Sequence, residues 1–474
     1  MTALHVNIIG AGLGGLCLAQ GLRRAGIAFD VYERDASSDA RFQGYRLRID
    51  ADGLDALAEC LPDEALVRIR ERAAVARSGG RFVTPQLDDA DVVLPPSWHE
   101  ARANAGLPSP SDQGRRRRGA AGKAARHLPR TDHIPGDLSV HRQTLREILL
   151  DGIRERVHFG KSFARTTSTP DGQRVAHFDD GSRSRAGLVV AADGSHSRVR
   201  ESVLPGMAPR DTGNVCCYGL TPLTTAMLVL MDRHGEATVM EGSTVVFADG
   251  FAVVIEAMLF RRPDSERAQA PLPGPERMPL SPVPDYLYWA FIGPASTLLG
   301  ASRTNGANGA NGANGANGAN GANGANGANV QSDETLTLAR IDALTDAWHP
   351  HLRSLFTYAS PDTIRTLPVR STTSPLPWQI DGVTGLGDAV HTMSPAGGLG
   401  ANTALRDAAR LTTWLHDVAR GRASLARAIS RYERDMCERA QEAVRLADAG
   451  AALLNGRRHP PQATQPAPAD AIHL

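Results

Sequence analysis

The chain has 474 residues, 42% hydrophobic and 22% charged, with 52 basic against 51 acidic side chains and a formal net charge of +1. That apolar content supplies a sizeable core and excludes a disordered or fibrous chain, and the length points to two closely packed domains. The near-neutral balance offers no field to hold a polyanion, which excludes nucleic-acid binding as the main task. Cysteines at 17, 60, 216, 217 and 437 form no metal-ligating spacing and fit a reducing compartment. No apolar run approaches the ~20 residues that span a bilayer. The N-terminus MTALHVNIIG lacks a basic region ahead of its apolar stretch, so the expectation is a cytoplasmic protein without signal peptide or integral membrane segment.

Residues 4–9 (LHVNII) and 28–33 (AFDVYE) read as short strands flanking a helical pattern over 14–25, which ends at Gly26, where a C-cap glycine belongs. This is a βαβ unit at the head of the chain. The stretch 95–135 is rich in Pro, Gly, Ser and Arg, and its arginine run at 115–118 reads as a solvated loop. Over 215–292 the pattern turns to strands (NVCCYGL, ATVMEGSTVVF, FAVVIEAML, DYLYWAFIG) between Gly, Pro and Asp turns, which implies a sheet-rich insertion. The Asn-Gly-Ala tract at 305–329 holds nothing with which to build a core and reads as a flexible spacer. Helices return over 333–348 and dominate 401–454, and the Pro-rich tail reads as disordered.

Gly10, Gly12 and Gly15 in GAGLGG match a dinucleotide-binding turn directly after a strand and opening a helix. The first glycine permits the tight turn, the second lets a pyrophosphate approach the backbone, and the third allows close helix–strand packing. The helix N-terminus then faces the phosphates. Glu33, at the end of the second strand, can accept hydrogen bonds from a ribose diol, and Arg34 follows it.

Two more motifs decide between FAD and NAD. LVVAADGSHSRVR puts Asp193 and Gly194 after a buried strand, and GVTGLGDAVHTMSPAGGLGANTALRDAARL puts Gly387 and Asp388 after another, ahead of a Gly-rich loop and a helix. Together with GAGLGG and Glu33, these resemble the class A flavoprotein monooxygenases, the para-hydroxybenzoate hydroxylase family, over nearly the whole chain. The resemblance implies an α/β fold: a Rossmann-type FAD-binding domain with a parallel sheet, an inserted sheet-rich substrate domain and a C-terminal helical region. It divides the chain into 1–94 and 136–212 (FAD-binding, first parts), 95–135 (irregular basic loop), 213–300 (substrate domain), 305–329 (spacer loop), 330–370 (substrate-domain return and helix), 371–456 (FAD-binding, with the Gly-Asp motif and C-terminal helices) and 457–474 (disordered tail).

The same resemblance implies FAD as cofactor and NADH or NADPH as transient electron donor. Glu33 would bind the adenosine ribose, the amides around Gly12 and Leu13 the pyrophosphate, and Asp388 the flavin side of the cofactor. Asp193 would lie near the pyrophosphate and Arg142 beside the flavin chain. Arg46 and Arg48 fall where the family often has a residue near the moving isoalloxazine, and which one is equivalent stays open. In the segment 394–402, Pro395 is a further candidate near the chemistry, Gly400 would let the backbone pass close to the ring, and Ala401 and Asn402 would set their backbone amides against its pyrimidine side. His391 reads as structural rather than as a base, and Thr392 stands where many relatives have proline.

The implied reaction is hydroxylation or epoxidation of a small hydrophobic aromatic or polyketide-like compound by NAD(P)H and O2 through a flavin C4a-hydroperoxide, in catabolism or secondary metabolism. The cofactor then carries the hard step. The protein has to exclude water and orient the substrate, with Tyr218, Met240, Phe247, Phe251, Tyr288 and Trp289 of the strand-rich region as wall candidates. No Ser-His pair, paired carboxylate or metal cluster stands out, which disfavours hydrolase readings. A halogenase or reductase on the same scaffold, a flavin-binding protein without turnover, and an NAD-dependent dehydrogenase are the alternatives. The paired-tryptophan element of halogenases is missing, since Trp98, Trp289 and Trp378 stand alone, and a dehydrogenase leaves the Asp193 and Asp388 motifs unexplained.

Loop-closure cost changes by only about 0.6 kcal/mol per doubling of length. Cutting the 305–329 tract to a few residues is therefore expected to leave flavin content, melting temperature and turnover near wild-type values.

Overall fold

The computed structural model describes residues 4–40, 44–75, 80–90, 137–224, 242–261, 279–300 and 336–454. The arginine run at 115–118, the 305–329 tract, the tail and Met240 lie outside them. In chain order the elements are β1 (His5–Ile9), α1 (Leu13–Ala25), β2 (Ala28–Tyr32), β3 (Arg46–Ile49), α2 (Ala51–Cys60), α3 (Asp63–Glu71), β4 (Gly80–Val83), β5 (Leu138–His141) and α4 (Arg142–Leu150). Then come β6 (Val157–His158), β7 (Phe163–Ser168), β8 (Arg174–Phe178), β9 (Arg183–Ala186), β10 (Leu188–Ala191), α5 (Arg198–Val203), β11 (Arg210–Pro222), β12 (Ser243–Ala248), β13 (Phe251–Met258), β14 (Tyr286–Pro294) and α6 (Ala295–Leu299). The remainder comprises α7 (Leu338–Leu344), α8 (Pro350–Thr357), β15 (Arg365–Ser371), β16 (Val383–Gly385), α9 (Asp388–His391), α10 (Gly400–Ala419) and α11 (Leu425–Leu454).

The first βαβ unit forms as its sequence reads. α1 ends at Gly26, whose φ of 69° is left-handed and whose amide bonds back to the last turn, a geometry that glycine adopts without steric cost. The unit seeds a parallel sheet in the order β16-β10-β1-β2-β6. Its interior strand β10, LVVA, is buried throughout, as a parallel strand covered on both faces must be. α1, α2 and α10 pack together on one face. The antiparallel β7-β8-β9 sheet lies on the other, where Ser184 accepts from Asn7 Nδ2 at 2.9 Å and from the Tyr32 hydroxyl at 2.8 Å.

The strand-rich region builds a second sheet in the order β15-β11-β14-β13-β12-β4, antiparallel except where β4 runs beside β12. β4 falls inside the segment 1–94 assigned from sequence to cofactor binding, yet its ladder is to the second sheet. Four residues reading GRFV carry too little pattern to show which sheet they join. Along the strands, alternate residues face opposite sides. One face holds Cys216, Tyr218, Tyr286 and Ala290, and with Phe247 and Tyr288 it meets Ala396 of the Gly-rich loop. The other packs Cys217, Ile255, Trp289 and Phe291 against Leu352 and Phe356 of α8.

This alternation corrects two of the wall candidates. Trp289 is fully buried on the helix-covered face, edge-on to Phe291 and Phe356, and its Nε1 donates to Thr221 Oγ1 at 3.2 Å. Phe251 stacks on Trp348 on the same side. Both are core residues, because neighbours on one strand, such as Tyr288 and Trp289, cannot face the same cleft. The helical stretch over 401–454 divides into α10 and α11, with Gly421 at φ 67° in the break. Among the described residues no helix is long and apolar enough to cross a membrane.

Trp289→Phe loses packing volume and the bond to Thr221, and core changes of this size cost about 1–3 kcal/mol. The expected outcome is a lower melting temperature with unchanged affinity for FAD, read by calorimetry.

Candidate cofactor and substrate site

Each glycine of the first turn is explained by what a Cβ would meet. On Gly10, whose φ is 112°, it would lie 2.3 Å from the Ala192 carbonyl oxygen, and on Gly15 it would lie 2.2 Å from the Gly10 carbonyl oxygen. Those two positions are closed by the protein itself. On Gly12 the nearest atom is 3.9 Å away, so this side of the turn is open for a ligand to approach the backbone. Glu33 is 5% exposed, and its carboxylate accepts from the amides of Ala11 at 2.7 Å and Asp35 at 3.0 Å. A carboxylate has about four acceptor positions, so capacity remains for a ribose diol. Arg34 is exposed.

Arg146, which the sequence reading did not single out, braces this turn. It is 1% exposed, and its guanidinium donates to the carbonyls of Ala11 at 3.1 Å and Ser38 at 2.5 Å. Its one signal was position: Arg142 and Arg146 are four apart on α4 and so share a helix face.

Asp193 caps α5, accepting at Oδ2 from the amides of Arg198 at 2.8 Å and Val199 at 3.3 Å. Its Oδ1 is buried without a hydrogen-bond partner among the described residues. Burial raises its pKa, and those hydrogen bonds pull the other way. Gly194 follows at φ 81° with open space where a Cβ would stand. Arg200, also unnoticed in the sequence, links this loop to the second acidic motif by donating to the carbonyls of Ser195 and Ala389, each at 2.8 Å.

Asp388 opens α9. Its carboxylate is reached by solvent yet enclosed by protein, an enclosure that raises its pKa, while the charges of His391 and Arg142 lower it. Behind it, His391 and Asp407 are both fully buried. Asp407 accepts from His391 Nε2 at 2.5 Å, the Gly387 amide at 3.1 Å and Arg439 at 3.2 Å. Burial pulls the His391 pKa down, but the Asp407 charge and hydrogen bond outweigh it, and the net shift is upward. His391 therefore shapes the loop from behind.

Pro395 begins a short turn capped by the Ser394 hydroxyl, and Gly398 follows at φ 62°. Asn402 is buried, and its side chain is occupied: it accepts from the Asp50 amide at 3.2 Å and donates to the carbonyls of Arg48 at 3.1 Å and Gly398 at 3.2 Å. A Cβ on Gly400 would stand 3.7 Å from Met393 and 3.9 Å from Asp388 Oδ1, ordinary contacts on the protein side.

The two arginines of β3 separate. Arg48 pairs with Asp137 near the surface, with Nε at 3.1 Å. Arg46 turns inward onto Glu256 of the second sheet. The three remaining wall candidates, Tyr218, Phe247 and Tyr288, share the sheet face that meets Ala396.

These groups fit FAD: an open glycine turn, a buried carboxylate at the end of β2, an unpartnered buried oxygen on Asp193 and an enclosed carboxylate at Asp388. Comparison with known proteins agrees. A family model for an FAD binding domain matches residues 327–447, and one for an NAD(P)-binding Rossmann-like domain matches residues 8–53. The chain is 34% identical over 421 residues to the dual O-methyltransferase/FAD-dependent monooxygenase elcB of Phaeosphaeria nodorum, over 86% of this chain and 40% of that protein. To the dual O-methyltransferase/FAD-dependent monooxygenase CTB3 of Cercospora beticola it is 31% identical, over 96% of this chain and 46% of that protein. The chain thus spans less than half the length of these curated relatives.

Among solved structures, an FAD-containing monooxygenase from Photorhabdus luminescens has a TM-score of 0.68 at 27% identity, over 95% of this chain and 99% of that one. A salicylate hydroxylase substrate complex, at 16% identity and a TM-score of 0.60 over 96% and 90%, shares the fold. The chain thus carries an FAD-binding domain, shares its fold with FAD-containing monooxygenases, and is similar in sequence to the FAD-dependent monooxygenases named here.

Two outcomes test this site. Glu33→Ala is expected to weaken FAD binding about 10–100-fold, the worth of a charge-assisted hydrogen bond, with the fold intact, as flavin titration of the apoprotein would read. His391 has a raised pKa, so its pair with Asp407 contributes fully below the ordinary imidazole value of about 6.5 and fades as pH rises through the raised one. Asp407→Asn is therefore expected to cost about 3 kcal/mol near pH 6 and less near pH 9, in denaturant titrations at both.

Proposed function

We propose that this protein is an FAD-dependent monooxygenase that draws electrons from NADH or NADPH and hydroxylates or epoxidises a small, largely hydrophobic aromatic or polyketide-like compound with O2. The observation that carries the reading is a juxtaposition. The loop running from Asp388 to Asn402 packs, through Ala396, on the aromatic face of the second sheet. A cofactor held by the first would meet a substrate held by the second. The names of the fungal relatives support the monooxygenase class and a setting in secondary metabolism.

FAD, when bound, supplies the hydride acceptor and the oxygen-transfer chemistry. Glu33, the amides at Gly12 and Leu13, Asp193, Arg142 and Asp388 are the groups that would hold it. The amides of Ala401 and Asn402 open α10, whose N-terminal dipole favours negative charge beside them. Tyr218, Phe247 and Tyr288 would exclude water and orient the substrate.

Oxidation of NAD(P)H, screened against phenols, quinolones and polyketides with isotopically labelled O2, tests the reaction. A compound that both accelerates oxidation and gains labelled oxygen supports it; a protein that takes up no FAD, or a product oxygen drawn from water, sinks it. Gly400→Val is expected to crowd the flavin, lower its reduction potential and slow reduction by NAD(P)H, with melting temperature little changed because a Cβ there makes only ordinary contacts on the protein side. Wild-type potential and reduction rate in that variant would remove the loop from the ring.

A further inference from the structure

A polar row crosses the cleft-facing side of the second sheet between apolar neighbours. Ser243, Glu256 and Tyr288 are direct cross-strand partners on β12, β13 and β14, so their side chains share one face. Glu256 is 7% exposed, and its oxygens accept from the hydroxyls of Ser139 and Ser243 and from the Arg46 guanidinium. Burial alone would raise its pKa; the Arg46 charge and these hydrogen bonds outweigh that and hold it low. A buried ion pair is often no more stabilising than apolar packing of the same volume, so folding alone gives little reason for one here.

Two further donors in this cluster are unused. Among the described residues Arg46 Nε is buried without a hydrogen-bond partner, and so is the hydroxyl of Tyr286. Tyr286 is 1% exposed, two residues before Tyr288 on the same face. Its ring lies 6.1 Å from those of both His141 and Tyr45. Arg46 interacts electrostatically with both tyrosines. Buried donors without acceptors are costly, and two in one cluster leave a place for an acceptor that a ligand would supply.

We propose that Arg46 Nε–H and the Tyr286 hydroxyl together donate to one carbonyl or enolate oxygen of a polycyclic aromatic substrate, with Glu256 as the positioning residue that orients the guanidinium. The Arg46–Glu256 pair is formally neutral, so the anchor suits a carbonyl or delocalised oxygen better than a free carboxylate. The apolar flank of Phe247 and Val254 suits the fused rings. The assignment rests on the monooxygenase reading only in taking this cleft as the substrate's.

The FAD-loaded protein is titrated by calorimetry with 1-tetralone and with tetralin, which differ in one carbonyl group. 1-Tetralone is expected to bind at least tenfold more tightly. Tyr286→Phe removes a hydroxyl that bonds no described residue, so it keeps flavin content and melting temperature while cutting that preference at least fivefold. Glu256→Gln is expected to reduce the preference while leaving tetralin affinity unchanged, a split that a purely structural contact would not produce. Equal affinity for the two probes, failure of both to bind, or a Tyr286→Phe protein with wild-type preference overturns the proposal. Calorimetry needs neither NAD(P)H nor O2, so failure of the monooxygenase reading would appear separately, in the labelled-oxygen experiment.

Discussion

A carboxylate with no access to water governs the shape of the cofactor cleft. A buried carboxylate needs donors, and Asp407 draws three of them from two parts of the chain: the Gly387 amide and the His391 ring of one turn, and the Arg439 guanidinium. Meeting that demand fixes the turn between β16 and α9, and with it the direction in which Asp388 leaves the sheet. The same carboxylate ties α11, through Arg439, to the loop beneath which it runs.

Comparable staples hold the rest of the cleft. Arg146 clasps the glycine turn, Arg200 joins the Asp193 loop to the Asp388 loop, and Asn402 ties the start of α10 to the end of β3. In each, a buried side chain satisfies backbone groups that turns leave unpaired, which is why irregular loops can be rigid. Preorganisation of that kind lowers the ordering cost when a ligand arrives.

The features legible in the sequence were those whose cause is local. Gly10, Gly12 and Gly15 belong to one turn, Gly26 ends one helix, and Glu33 ends one strand, so spacing alone located them. Arg146, Arg200 and Asp407 were not legible: the two arginines bond backbone carbonyls, which have no sequence signature, and Asp407 gathers groups from separate elements that only folding brings together. Tyr288 and Trp289 are a different case. The period of two that sends them to opposite faces was present in DYLYWAFIG, but choosing the cleft-facing side required knowing that helices α7 and α8 return to cover the other. The separate fates of Arg46 and Arg48 likewise depended on Glu256, some two hundred positions later.

The two faces of the second sheet also bear on how such a protein can diversify. The helix-covered side carries the aromatic packing that makes the sheet stand, whereas the side turned to the cleft carries Tyr218, Phe247 and Tyr288. Since neighbours on a strand alternate between them, a substitution facing the cleft changes the side chain presented there and leaves its adjacent residue's packing intact. The surface offered to the cleft can thus change at one position without disturbing the packing of the opposite face.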